Sequence, residues 1–207
     1  MAEKINKHKL RTQQTRELLL RSAEEIFVRD GYERAELGEI AALAGRTKGA
    51  IYAHFKSKED IFLALIEERT MRYRAQMAEM LAQSTSVEEN LATLRKFYLN
   101  FEDEAWSLLV LEFKLYALRH PESKERLQKL FDAVISASQE KRYVQILGSA
   151  GKGKDAIHRS VAVKTLSSVI SAIVIETKLS PDLFDEKTMK QVTNRIFDAL
   201  LLPKVTQ

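Results

Sequence analysis

Apolar residues recur at three- and four-residue spacing along almost the whole chain, and no window alternates convincingly at period two. Between Thr12 and Asp30, Leu19, Ala23, Ile26 and Phe27 mark one face of a first helix, with Gly31 as its C-terminal stop. A short piece carrying Leu37, Ile40, Ala41 and Ala44 ends at Gly45. Thr47 opens a second short piece that closes near His54 and Phe55. Ser57, with Asp60 three places on, predicts an N-cap, and Ile61, Phe62, Leu65 and Ile66 launch a helix to about Leu81. Further helices are predicted over Val87 to Glu102, Glu104 to Arg119, Glu122 to Leu147, Ala156 to Lys178 and Asp185 to Leu202. The breakers "HPES", "GSAGKGKD" and "SPD" separate several of them. The expectation is an all-α chain of about nine helices and no sheet.

Composition narrows the class. With 207 residues, 45% apolar content, 7 Gly and 3 Pro, the chain can bury a sizeable core in one or two domains. The absence of cysteine excludes disulfides and thiolate chemistry and suits a reducing compartment. The start, "MAEKINKHKLR", is basic without an apolar core, and no run approaches the ~18 apolar residues of a membrane span, so a cytoplasmic location is expected. A net charge of +4 permits nucleic-acid binding without demanding it. The distribution of charge carries more. Through "GRTKGAIYAHFKSKED", Gly45 to Asp60, Arg46, Lys48, Lys56 and Lys58 precede the first acid at Glu59.

Three helices within the first ~55 residues, the last two short and joined by a tight glycine turn, match the helix-turn-helix arrangement, whose second helix enters the major groove. Basic side chains and free N–H groups at that helix start attract phosphate, and Gly49 and Ala50 leave room for close approach. Ile51 and Phe55 would hold the helix to the other two, while Tyr52, His54 and Lys58 reach flanking phosphates. An ordinary solvated helix is the bland alternative. Turn, caps and charge together favour the DNA-binding one.

The segment "IFVRDGYERAELGEIAALAGRTKGAIYAHFKSKEDIFLALI", Ile26 to Ile66, resembles the DNA-binding segment of the tetracycline-repressor (TetR) family of bacterial regulators. Phe27, Gly31, Tyr32, Ile40, Ala41, Ala44, Gly45, Gly49, Tyr52, Phe55, Lys58 and Glu59 carry the likeness. It implies a three-helix DNA-binding domain over residues 1–56. A larger helical domain over residues 57–207 would begin with a connecting helix, dimerise and bind a small molecule. Thr47, Lys48, Gly49, Ala50, Tyr52, Ala53 and His54 take the recognition-helix positions, and Lys58 a phosphate-contacting one. Two residues depart from the family pattern. Glu36 stands where Ser or Thr usually caps the second helix, and its charge opposes phosphate. Arg46 replaces an apolar turn residue and either packs its stem or adds a phosphate contact.

In the larger domain, "EAWSLLVLEFKLYALR", Glu104 to Arg119, is apolar round most of its circumference, which predicts burial. Trp106, Val110, Phe113 and Ala117 share a face, and Phe97 and Phe101 supply facing surfaces, so either an apolar ligand cavity or a solid core fits. Glu112 either orients a cationic ligand or pairs with a neighbouring Lys or Arg. Val161, Leu166, Val169, Ile170 and Ile173 form one stripe, and Met189, Val192, Ile196 and Leu200 another, as in an internal hairpin or a dimer interface. The resemblance implies a homodimer through these last two helices. "GSAGKGKD" approximates a phosphate loop, but Asp155 occupies the hydroxyl position and no strand precedes it, so a connector is expected. The histidines lack metal-ligand spacing and no catalytic constellation is visible. Neither cofactor, metal nor enzymatic activity is expected. The reading is a homodimeric repressor released from a double-stranded DNA operator by a small apolar or aromatic effector. The alternative is a DNA-binding protein with a filled core that answers to a protein partner.

Overall fold

The computed structural model describes residues 7–99, 104–134, 140–149 and 157–202. These form ten helices: α1 (Lys7–Arg34), α2 (Leu37–Leu43), α3 (Lys48–Tyr52), α4 (Lys58–Leu81), α5 (Val87–Leu99), α6 (Glu104–Arg119), α7 (Pro121–Val134), α8 (Glu140–Leu147), α9 (Arg159–Leu179) and α10 (Glu186–Leu201). The described residues contain no strand. Within Glu122 to Leu147, expected as one helix, the described residues form α7 and α8, and residues 135–139 lie outside the described residues. α7 opens on Pro121, a residue suited to a first turn that needs no N–H donor. α8 packs against α5 and α9.

The chain divides into two units. The first takes Met1–Thr70 together with Glu112–Leu127. Besides the first three helices it takes in the first half of α4, the C-terminal half of α6 and the start of α7. Leu19, Ala23, Ile26 and Phe27 of α1 are buried with Ile40, Ile51, Ile61, Phe62, Phe113 and Ala117. Phe62 meets Phe27 at 5.1 Å and Phe113 at 4.4 Å between ring centroids, and Tyr32 lies 4.8 Å from both Phe113 and Tyr116. Contacts of this kind each add about 0.5–1.5 kcal/mol beyond the area they bury.

The second unit, Met71–Leu111 with Gln128–Gln207, centres on Leu91 and Leu94 of α5, Leu147 of α8, Leu166 and Ile170 of α9, and Phe197 and Leu201 of α10. The start of α9 is pinned by two charged residues. Glu140 accepts from the Arg159 and Ser160 N–H groups at 2.7 and 2.8 Å and from Ser160 Oγ at 2.8 Å. Arg159, 2% exposed, donates to the carbonyls of Gly148, Ser149 and Leu201 at 2.7–2.9 Å, so each nitrogen of its buried guanidinium has a partner.

Three expectations change. α6 is not buried all round: Trp106, Leu109, Phe113 and Ala117 are, but Leu115 and Leu118 are exposed and Val110 is half-buried. In α10 the buried positions are Thr193, Phe197 and Leu201, one register beyond the stripe Val192, Ile196 and Leu200, which is half-buried, as is Met189. α9 is long and apolar enough to cross a membrane, contrary to the sequence reading. Its Ala162, Leu166 and Ile170 nevertheless face the core of this unit.

Candidate nucleic-acid interface

Between α2 and α3 the chain reverses at Gly45, whose φ of 62° lies in the left-handed region that favours glycine. The Gly45 and Arg46 N–H groups return to the carbonyls of Ala42 and Ala41 at 3.0 and 2.8 Å. Thr47 then stands at the N-cap of α3 in extended conformation, but its side chain makes no capping bond, contrary to its expected role. The first turn is held by the Ala50 N–H on the Thr47 carbonyl at 2.9 Å. Ile51 and Phe55 are buried and clamp α3 to the unit, as expected, and the Arg16 guanidinium lies over the Phe55 ring at 5.3 Å.

The outward face is open. Arg46, Thr47, Lys48, Gly49, Tyr52 and Ala53 are exposed, and Ala50 and His54 are half-buried. A Cβ added to Gly49 would meet just Thr47 Oγ1, at 3.7 Å, and the backbone there is ordinary, so the fold itself does not require glycine. Arg46 does not pack its stem; its Nη1 donates to the Gly45 carbonyl at 3.0 Å. Glu36 occupies the N-cap position of α2, exposed and without a capping bond.

Lys58 departs from expectation. Its Nζ donates to the carbonyls of Glu33 and Ala35 at 2.7 and 3.1 Å and lies 5.0 Å from the centre of the Tyr32 ring. Burial holds the ammonium below its ordinary pKa, against the pull of the Glu33, Glu112 and Glu36 carboxylates. This lysine ties the end of α1 to the start of α4.

Glu112 also takes a role that sequence reasoning did not weigh. At Gly31 the backbone turns to φ 80°, ψ 168°, interrupting α1 and freeing the Tyr32 N–H, which donates to Glu112 Oε1 at 2.8 Å. Both carboxylate oxygens lie 3.0 Å from where a Gly31 Cβ would stand. The signal in sequence was an acid in the middle of a largely apolar helix. Its partner, a backbone N–H, leaves no sequence trace. At the start of α4, Arg126 donates to Glu59 at 2.7 Å and to Asp60, and Ser123 Oγ donates to Glu59 at 2.5 Å. These contacts fasten α6 and α7 to the helices that carry α3.

The residues expected to line an effector cavity divide between the two units. Phe113 and Ala117 belong to the packed core of the first unit. Trp106, buried, and Phe97 and Val110, half-buried, belong to the second. Phe101 lies outside the described residues, as do Gly153, Lys154 and Asp155 of the connector. A cavity of about 20 Å³ lies in the second unit beside Tyr98, Ile170, Ile173 and Met189, room for about one water.

The profile of the bacterial regulatory proteins, tetR family, matches residues 19–65. The chain is 44% identical over 62 residues to the HTH-type transcriptional repressor BepR of Brucella suis biovar 1, a match spanning 30% of each protein. It is 28% identical over 163 residues to the HTH-type transcriptional repressor AcnR of Corynebacterium diphtheriae, spanning 77% of this chain and 78% of that one. Among solved structures, SmeT, the repressor of the Stenotrophomonas maltophilia multidrug efflux pump SmeDEF, superimposes with a TM-score of 0.57 at 26% identity, covering 91% of this chain and 90% of that one.

Proposed function

Because this chain belongs to the tetR family of bacterial regulatory proteins, we propose that it is a cytoplasmic, homodimeric repressor. Its operator contacts come from Arg46, Thr47, Lys48, Gly49, Ala50, Tyr52, Ala53 and His54. The observation that carries this reading is the open first turn of α3, where Gly49 is free of any packing need and Lys48 is exposed. A bare turn between a buried anchor and a basic flank suits entry into a major groove. Dimerisation through α9 and α10 is supported by α9, of whose most apolar stretch 33% is buried within the chain. Two copies would then read paired half-sites.

Release by a small apolar or aromatic effector is the second half of the proposal, with Trp106, Val110 and Phe97 of the second unit as its contacts. The effector need bind the released state alone more tightly. The packed Phe113 cluster and the small size of the cavity beside Tyr98 favour a different trigger, a protein partner. Selection of duplexes from a random library by the full chain tests the DNA reading, and enrichment of a two-fold symmetric motif is expected. Enrichment of no motif overturns it. Titration of the selected complex with lipophilic compounds separates the triggers, since release by one of them excludes the partner reading.

A further inference from the structure

The first half of α1 carries a polar stripe that the α3 interface does not use. Arg11, Gln14, Thr15, Leu18 and Arg21 recur at helical spacing and, with Arg46 from the α2–α3 turn, line an open cleft of about 520 Å³. All three guanidinium groups are exposed. Among the described residues none of them pairs with a carboxylate. The one acid in the cleft, Glu17, accepts from Gln13 Nε2 at 3.1 Å.

We infer that this cleft holds the sugar-phosphate backbone of the duplex whose bases α3 reads, an inference that rests on the DNA-binding reading above. Arg46 lines the cleft and stands two residues before Lys48, so the cleft borders the start of α3, where the same strand would arrive. Arg11 and Arg21 stand ten residues apart, about 15 Å along the helix. That span exceeds a single phosphate and suits a strand carrying one charge per ~3.4 Å. Guanidinium forks bind phosphate oxygens in pairs, and Gln14 and Thr15 add neutral donors between them. The cleft therefore adds affinity and register without reading sequence.

The experiment uses the full chain and a 40-base-pair duplex bearing the motif it selects, with affinity measured across a salt series. Arg11→Gln with Arg21→Gln should lower the slope of log affinity against log salt by about 2 and weaken binding on the order of tenfold or more, while the selected motif stays the same. The lysine pair at both positions should restore most of the slope. Glu17→Gln, which removes the one opposing charge without touching a cation, should strengthen binding and keeps the test decisive if the double variant folds poorly. A double variant with unchanged slope, or a Glu17→Gln variant that binds no more tightly than the wild type, overturns the cleft while leaving α3 as the reader. A wild-type chain that binds no duplex overturns the DNA reading itself. Saturable uptake of inorganic phosphate by the wild type, abolished in the double variant, would identify a free-anion site and sink the inference.

Discussion

Lys48 and Lys58 lie ten residues apart with the same side chain, yet their surroundings separate their roles. Lys48 is exposed, so Lys48→Ala should leave stability unchanged and lower the salt slope of DNA binding by about 1. Lys58 satisfies two carbonyls at the end of α1. Lys58→Ala should cost about 1–3 kcal/mol, from polar groups left without a partner, and leave the salt slope alone. Thermal melts and a salt series on both variants check the pair. A reduced slope with intact stability in the Lys58 variant would return that residue to the DNA surface. Gly31 offers a second test. Its φ of 80° and ψ of 168° lie in a region that is nearly glycine's alone, and a Cβ there would press on both Glu112 oxygens at 3.0 Å. Gly31→Ala should therefore destabilise by about 1–3 kcal/mol or more. Adding Glu112→Ala should relieve the steric part alone, so the two costs should be clearly non-additive in urea unfolding.

At the scale of elements, caps decide where helices start, and their chemistry titrates. Burial pushes the Glu140 carboxyl up, but hydrogen bonds from Ser160 and Arg159 at the head of α9 outweigh it, leaving the pKa below its ordinary value. A carboxyl whose pKa is depressed on folding stabilises the protein above its unfolded pKa and loses that contribution as pH falls through the folded one. Glu140→Gln should thus cost about 1–2 kcal/mol at neutral pH. The gap from wild type should narrow below about pH 4 in equilibrium unfolding. A gap independent of pH would assign the effect to shape instead of charge. The same logic explains what was legible in sequence. Ser57 and Asp60 announced the start of α4, where Ser57 Oγ accepts from the Asp60 N–H at 3.1 Å and Asp60 accepts from the Lys56 N–H at 2.9 Å. Gly45 and the Ile51, Phe55 pair announced the turn and the anchor of α3. The roles of Glu112, Lys58 and Glu140 were not legible. Each binds backbone groups brought near by the fold, and every residue offers the same N–H and C=O to a reader of sequence. The register of α10 was missed for a related reason: Ile196 and Phe197, like Leu200 and Leu201, are adjacent apolar residues, and the pattern cannot say which of each pair faces inward.

The whole molecule needs a second copy if it is to read two half-sites, and α9 presents a surface suited to one. Val161, Thr165, Ser168 and Ala172 recur along one exposed face at helical spacing, small or slender side chains that let two helices approach closely. Lipid would be a poor partner, because Thr165, Ser168 and Glu176 place polar groups along that same face. The proposed homodimer would seat a second copy of the chain there. Ala172→Glu should leave the isolated fold intact, because the residue is exposed, while setting two like charges against each other near a two-fold axis. Sedimentation velocity should then show a monomer whose helical circular dichroism matches the wild type. Binding to a duplex with both half-sites should weaken by a factor of 100 or more, since linked half-sites gain on the order of 100- to 10,000-fold from simultaneous engagement. Binding to a duplex with a single half-site should be unchanged, because α3 is untouched. A variant that sediments as a dimer would move the interface off this face of α9. A monomeric variant that still binds the paired site at full strength would detach dimerisation from DNA reading altogether.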